Sequence, residues 1–234
     1  LVDALRVGGA NRVRLVGQVD FDSPDMQTEW TRFEAVVNLA LAPYPLSSVC
    51  TYDTRALPPT VLTAAQRTHP AFLTPRGAEP NDVYQEPADF LRGLDPDPPD
   101  PVENTPPRFT HTLTHPLDLA DLRRALRTAL TAADVPDGQA DELLVAVTEV
   151  TTNALVHGRP PVTLRAWAGP DRLVLTVTDH GSGYHDPLAG YLPPPAVGRP
   201  HGNGLWLARH TVDRLTSTPT PRGFTVRLTR FTGR

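Results

Sequence analysis

The sequence contains no lysine, and all 22 of its basic residues are arginine. This absence excludes chemistry that requires a lysine amine, including a conventional P-loop, whose lysine reaches the phosphates of the nucleotide. The chain has a single cysteine, Cys50, which excludes both an intrachain disulfide and a zinc site built from several cysteines. Such a cysteine content fits a reducing, cytoplasmic compartment.

Long apolar runs and an excess of positive charge are missing as well. No apolar run approaches the roughly 20 residues of a spanning helix, and the N-terminus has no secretion signal, so we expect no membrane partner. The net charge is −4, which gives no overall positive field to hold a phosphate backbone, and we expect no direct nucleic-acid binding. Because the chain begins at Leu1 and not at a methionine, it fits a fragment of a longer protein.

Proline, by contrast, is abundant, with 27 among 234 residues. Residues 95–107, DPDPPDPVENTPP, combine prolines with acidic residues and contain almost nothing that a core could bury. This composition predicts an extended, solvated linker between two domains, 1–94 and 108–234. Two domains also fit a chain of this length.

The region before the linker alternates strand and helix signals, which predicts an α/β unit. A buried strand is expected over Val13–Val19 and a second, shorter one over Ser47–Tyr52. Helices are expected over Thr28–Leu41 and over Pro59–Arg67, which has prolines at its start.

The region after the linker predicts an α+β two-layer sandwich, with helices on one face of a mixed sheet. The predicted strands are Arg108–Leu113, at an edge, Val162–Trp167, Leu173–Val177 and Gly223–Thr229. The predicted helices are Leu119–Ala133, Pro136–Val156 and Leu205–Leu215.

A polar stripe on the second of these helices is the first candidate for chemistry. Glu149, Asn153 and His157 recur at intervals of four and therefore share one helix face. The apolar residues that can pack on the sheet lie on another face: Leu143, Val147, Val150 and Ala154. A carboxylate and a carboxamide one turn apart suit Mg²⁺ and a general base, although a solvated helix face accounts for the stripe equally well.

Two glycine motifs follow. Asp179 lies at a predicted strand end and is followed by Gly181 and Gly183. Its carboxylate can accept a hydrogen bond from the adenine amine, and the glycines let the backbone approach the adenine ring. A glycine-rich turn is the alternative interpretation. Gly202-Asn203-Gly204-Leu205 opens a predicted helix, whose free N–H groups suit phosphate.

In this order, E-x-x-x-N-A, D-x-G-x-G and G-x-G-L resemble the GHKL superfamily of Bergerat-fold ATPases, which includes gyrase and the histidine kinases. The resemblance covers Phe109 to Phe231. The phrases ELLVAVTEVTTNALVHG, VTDHGSGY, GNGLWLARH and GFTVRL are similar to those of the small anti-sigma-factor serine kinases of actinobacterial type.

This resemblance implies a role for each matching residue. Glu149 is the general base, Asn153 the Mg²⁺ ligand and Asp179 the adenine anchor, which Thr225 assists through a water molecule. The full set of expected ATP-binding residues is Asn153, His157, Asp179, Gly181, Gly183, Arg199, Gly202, Asn203, Gly204, Leu205 and Thr225.

The stretch between Tyr184 and His201 is the expected nucleotide lid, and three consecutive prolines stiffen it. Arg199 is its one basic residue, and we expect it to touch the phosphates, although a plain surface arginine accounts for it equally well. His180, His185 and His201 have no regular ligand spacing, and we interpret them as solvated loop histidines.

The N-terminal phrases WTRFEAVVNLAL and SSVCTYDTRALPPTVLTAAQRTHP resemble the MEDS sensory domain over Val13–Phe72. The usual opening elements of that domain are missing, so either the chain is truncated or the domain is a shortened variant. Five residues lie in the recognisable motifs: Glu34, Cys50, Tyr52, Asp53 and His69. We interpret them as bracing a small α/β core and assign no ligand there.

The combined resemblance implies a cytoplasmic serine/threonine kinase that uses ATP and Mg²⁺. Its expected partners are an anti-anti-sigma protein of STAS type, which it phosphorylates, a sigma factor, which it sequesters, and a second copy of itself in a homodimer. A non-catalytic switch, in which ATP only alters partner affinity, is the alternative. A sensor histidine kinase is less consistent with the sequence, because His111 and His115 lie in a strand-like context and not in a dimerisation helix.

Overall fold

The computed structural model describes residues 12–19, 24–192, 203–221 and 223–232. The chain forms two compact units, residues 1–94 and 95–234. Within the described ranges, no helix combines the length and the apolar character needed to cross a membrane.

The first unit is an α/β arrangement, as the sequence predicts. Its elements are β1 (Val13–Gln18), α1 (Pro24–Leu41), β2 (Leu46–Thr51), α2 (Pro59–Thr68), β3 (Ala71–Thr74), β4 (Gly77–Pro80) and α3 (Pro87–Arg92). Strands β1 and β2 pair in parallel, and β3 pairs antiparallel with β4. The expectation of a buried first strand is wrong, since only Val13 of β1 is buried and its next five residues are exposed.

The core of the first unit lies between its helices. Ala35 and Val36 of α1, Val61 of α2 and Phe90 of α3 are all almost completely buried. Glu34 is buried beside them, at 2% exposure. Burial raises the pKa of Glu34 to about 7, and a hydrogen bond from Trp30 opposes the shift. A buried carboxylate in so small a unit requires an explanation beyond core packing.

The second unit is a two-layer α+β sandwich, which confirms the predicted fold class. Its elements are β5 (Phe109–Leu113), α4 (Leu119–Ala132), α5 (Asp137–His157), β6 (Val162–Ala168), β7 (Arg172–Asp179), α6 (Gly204–Thr211), β8 (Arg214–Thr220) and β9 (Gly223–Phe231). The five strands form one sheet in the order β5-β6-β7-β9-β8, with β5 at an edge as predicted.

Two details of this sheet correct the sequence analysis. Every pairing in it is antiparallel, so the expected mixed sheet is wrong. The helix expected to reach Leu215 ends at Thr211, and β8 follows as an edge strand that the sequence analysis missed. An edge strand tolerates Pro219, whose missing N–H makes the segment look unlike a strand in the sequence.

One face of the sheet packs against the helices. Leu122, Leu126 and Leu130 of α4 are buried in this core, as the amphipathic pattern predicts. They meet inward residues of the strands, among which Leu164, Leu175 and Leu228 are at most 1% exposed. Burial of this apolar layer supplies the main driving force for the second unit.

The opposite face of the sheet is partly covered by residues 95–107, which corrects the expectation of an extended, solvated linker. These residues include a 3-10 turn, Pro101–Asn104, and the indole nitrogen of Trp167 donates to the carbonyl of Thr105 at 2.8 Å. Three ion pairs connect the segment to the strands: Asp97 with Arg214, Asp100 with Arg172, and Glu103 with Arg227. The acidic residues that suggested solvation instead neutralise arginines of the sheet.

We expect Glu103→Gln to destabilise the second unit by about 1–3 kcal/mol, because Arg227 is 9% exposed and would lose its carboxylate. Asp141→Asn is the matched control, since the pair of Asp141 with Arg127 is exposed and contributes less than about 1 kcal/mol. Urea unfolding of both variants measures the difference. Equal stability losses would contradict a structural role for the acidic segment.

Candidate nucleotide-binding site

Helix α5 presents two different faces, as its sequence predicts. Leu143, Val147, Val150 and Ala154 are buried in the core. Glu149 and Asn153 are half-buried on the neighbouring face, and His157 is exposed at the helix end. The apolar face fixes the rotation of the helix, so the polar stripe has one defined direction.

The polar stripe of α5 contacts the start of α6. A Cβ at Gly204 would collide with Oε2 of Glu149, so glycine lets the carboxylate lie against this backbone without a shift of the side chain. Asn203 is the N-cap of α6 and provides no side-chain cap. The amides of the first turn are therefore available to an anion, and a helix N-terminus carries partial positive charge.

Asp179 ends β7, is 5% exposed, and is held by backbone groups. Its Oδ1 accepts from the amides of Gly181 at 2.6 Å and Arg159 at 3.2 Å. A Cβ at Gly158 would approach Oδ1 to 2.5 Å, so the end of α5 meets the carboxylate without room for a side chain. One carboxylate oxygen is thus anchored, which orients the other as a hydrogen-bond acceptor.

Gly183 has a role in packing. Its φ is +76°, and a Cβ there would overlap the ring of Phe224. The same ring meets Tyr184 edge to face at 5.1 Å, and the hydroxyl of Tyr184 donates to Ser217 at 2.6 Å. The loop that follows Asp179 is therefore fastened to β8 and β9.

Thr225 does not fit its predicted role beside Asp179. Its hydroxyl is 2.9 Å from that of Thr178, and both residues face the side of the sheet opposite the helices. Asp179 is the next residue along β7, and side chains alternate between faces, so its carboxylate points to the helix side. Thr225 alternates with the apolar residues Phe224 and Val226, which is the sequence signal for this orientation.

The structure describes some of the remaining predicted residues but not others. Leu205 is half-buried beside Gly190, and Asn203 is exposed. Arg199 and Gly202 lie outside the described residues. Gly158 and the amide of Arg159 are not among the predicted residues, although the His-Gly pair at the end of α5 is a signal for a close approach there.

A cavity of about 650 Å³ lies on the opposite face of the sheet. Threonines of the strands line it together with Arg165, His180, Arg227 and residues of the acidic segment. It is separate from the group formed by Glu149, Gly204, Asp179 and Gly158, which lies on the helix side.

The antiparallel sheet and its helical layer form a two-layer α+β domain, with the candidate site along α5. A family model described as the histidine kinase-like ATPase domain matches residues 113–230, half of the chain. The chain belongs to this family. A second model, MEDS, the MEthanogen/methylotroph, DcmR Sensory domain, matches residues 1–70, which confirms that resemblance.

Two solved structures are similar to part of the chain. The RsbU and RsbW domains of Rv1364c from Mycobacterium tuberculosis match with 20% identity and a TM-score of 0.39, over 54% of this chain and 32% of that one. The histidine kinase domain of the E. coli osmosensor EnvZ matches with 16% identity and a TM-score of 0.33, over 56% of this chain and 92% of that one. None of the curated proteins compared with the chain is similar to it.

Gly158→Ala tests the contact between α5 and Asp179. We expect a loss of about 1–3 kcal/mol in the free energy of unfolding, because the added methyl displaces Oδ1 and also meets the carbonyl of Ala154 at 2.6 Å. Gly138→Ala, in the same helix, is the control, since its Cβ meets nothing within 4 Å and should stabilise by about 0.5–1 kcal/mol. Urea denaturation that ranks the two variants in the opposite order would contradict this account.

Proposed function

We propose that the second unit binds Mg-ATP and transfers the γ-phosphate to a serine or threonine of a protein partner, in the cytoplasm. The observation that carries the proposal is the convergence of two groups on one helix: α5 meets Gly204 through Glu149 and meets Asp179 through Gly158. These two points are about 14 Å apart along the helix, at 1.5 Å per residue. That spacing would place the adenine near Asp179 and the phosphates near Glu149 and Gly204.

Asp179 supports adenine recognition. Its Oδ1 is occupied by two backbone amides, and the described residues provide no partner for Oδ2. A buried carboxylate with one free oxygen recognises a donor such as the exocyclic amine of adenine. Gly181 keeps this side of the site open, since a Cβ there would come within 2.7 Å of Oδ1.

The donor set of α5 fits a magnesium ion. Asn153 is half-buried one turn after Glu149, and the described residues give its carboxamide no hydrogen bond. A carboxamide oxygen is a hard ligand of the kind that Mg²⁺ takes in addition to waters and phosphate oxygens. When bound with the nucleotide, the ion would neutralise phosphate charge. We assign Asn153 as the residue that holds it.

The start of α6 supports phosphate binding. Because the chain has no lysine, the phosphates depend on the uncapped amides of this helix, with Asn203 and Gly204 at its start. Leu205 anchors the first turn against the core. We propose that Gly202 continues this cradle and that Arg199 adds the positive charge.

Glu149 is placed for general-base catalysis. In the proposed reaction, the hydroxyl oxygen of the partner forms a bond to the γ-phosphorus, and the bond between that phosphorus and the β,γ-bridging oxygen breaks. ADP leaves, and the hydroxyl proton passes to the Glu149 carboxylate. Contact with the α6 backbone holds that carboxylate near the phosphate end of the site.

The partner follows from the resemblance to anti-sigma-factor kinases. We propose an anti-anti-sigma protein of STAS type as the phosphate acceptor and a sigma factor as the protein sequestered, with a homodimer as the assembly. The edge strand β5 offers backbone groups for association. The N-terminal unit, which matches a sensory-domain model, would regulate this activity.

Asp179→Asn should weaken ATP binding roughly 10- to 100-fold, because an amide nitrogen in place of Oδ2 donates and cannot accept from adenine. The backbone bonds to Oδ1 can persist, so the fold should remain. Asp171→Asn, at the exposed residue just before β7, is the control. Calorimetry with Mg-ATP measures both, and unchanged affinity in Asp179→Asn would contradict the assignment of Asp179.

Glu149→Gln should leave ATP binding close to that of the native chain but lower phosphoryl transfer roughly 10²- to 10⁴-fold, since only the proton acceptor is lost. Labelled ATP and candidate STAS proteins supply the assay. Glu142→Gln, on the exposed face of α5, is the control and should transfer normally.

The same assay separates the alternatives. ATP binding with no transfer to any STAS protein would replace the kinase with a nucleotide-dependent switch. Label that appears on a histidine of the chain would indicate a histidine kinase, although His111 lies in β5 and His115 caps a 3-10 turn.

A further inference from the structure

Three side chains from three separate elements meet in the first unit. Glu34 comes from α1, Cys50 from β2 and His69 from the residue that follows α2. One ligand atom from each lies within 4.8 Å of the other two. The three side chains carry a carboxylate, a thiol and an imidazole, which are the groups that bind metal ions in proteins.

The hydrogen bonds of His69 select the tautomer that a metal requires. Its Nδ1 is 2.8 Å from the carbonyl oxygen of Ala65, one turn earlier in α2. A carbonyl only accepts, so Nδ1 carries the proton and Nε2 keeps its lone pair. Histidines that bind metals usually donate their other ring N–H to a carbonyl or carboxylate in this way.

Hydrogen bonds orient Glu34, but no cationic side chain among the described residues pairs with it. The hydroxyl of Tyr52 donates to its Oε1, and the carboxylate also accepts a hydrogen bond from Trp30. The carboxylate is 2% exposed, and the described residues form no ion pair with it. A buried carboxylate without a cation is costly, so a bound cation would compensate the charge.

The ligand types decide which cation fits. A thiolate and an imidazole favour zinc, whereas magnesium and calcium take oxygen ligands. Zinc binds such atoms at about 2.0–2.3 Å, which places tetrahedral ligands roughly 3.3–3.8 Å from one another. The three ligand atoms lie within 4.8 Å of one another, so a decrease of about 1 Å in these distances would let all three bind one ion. The nearby Asp53 is not available, because Arg55 binds its carboxylate.

We propose that Glu34, Cys50 and His69 bind one zinc ion in the first unit. Tyr52 and the carbonyl of Ala65 position two of the ligands from behind. Three protein ligands leave the fourth tetrahedral position open to water or to a small donor molecule. The inference is independent of the proposed kinase activity.

The test uses the untagged chain, stripped with a chelator and dialysed against Zn²⁺ or Co²⁺. We expect about one metal ion per chain by mass spectrometry, and a thiolate-to-cobalt charge-transfer band in the near ultraviolet. Cys50→Ser should abolish the band, and Cys50→Ser, His69→Gln and Glu34→Gln should each weaken zinc binding roughly 100-fold or more. Tyr52→Phe should weaken it by roughly 10-fold.

Asp53→Asn and His185→Gln are the controls and should bind like the native chain, because neither residue belongs to the cluster. Circular dichroism checks that each variant is folded, and if Glu34→Gln fails to fold, the half-exposed Cys50→Ser decides the question. A native chain that binds no zinc would overturn the proposal. A cobalt band that survives in Cys50→Ser, or zinc that is lost in His185→Gln, would overturn it too.

Discussion

The packing of α5 on the antiparallel sheet is the constraint on which the second unit depends. Its apolar stripe, from Leu143 to Ala154, fills the core between α4 and the strands. Because that stripe sets the rotation of the helix, Glu149 and Asn153 lie on one defined face, and Glu149 contacts the start of α6. The same helix ends at Gly158, beside Asp179. One hydrophobic contact surface thus positions the polar groups at both ends of the candidate site.

Close backbone approach is the second physical theme of this site. Gly158, Gly181 and Gly204 each lie where a methyl group would strike a functional carboxylate. Because these positions have no side chains, backbone amides can approach closely. They orient Asp179, and the first turn of α6 stays open to an anion. On the other face of the sheet, acidic residues of 95–107 form ion pairs with the buried Arg227 and the half-buried Arg214.

Much of this architecture could be predicted from the sequence, because hydrophobic periodicity and local sequence motifs indicate it. The four-residue spacing of Leu122, Leu126 and Leu130 predicts the amphipathic helix α4. The motifs around Glu149, Asp179 and Gly204 predict the family, which the match over residues 113–230 confirms. These signals are local, so they can be interpreted without knowledge of the rest of the fold.

The amino-acid sequence by itself therefore determined the two units, most of their elements and the residue types of the proposed nucleotide site. Only the tertiary structure decided which residues meet. It placed the acidic segment against the sheet and brought Glu34, Cys50 and His69 together. Each of these outcomes depends on contacts between residues far apart in the chain. Such contacts leave no periodic signal, because they arise from how separate elements pack and not from the propensity of any one segment.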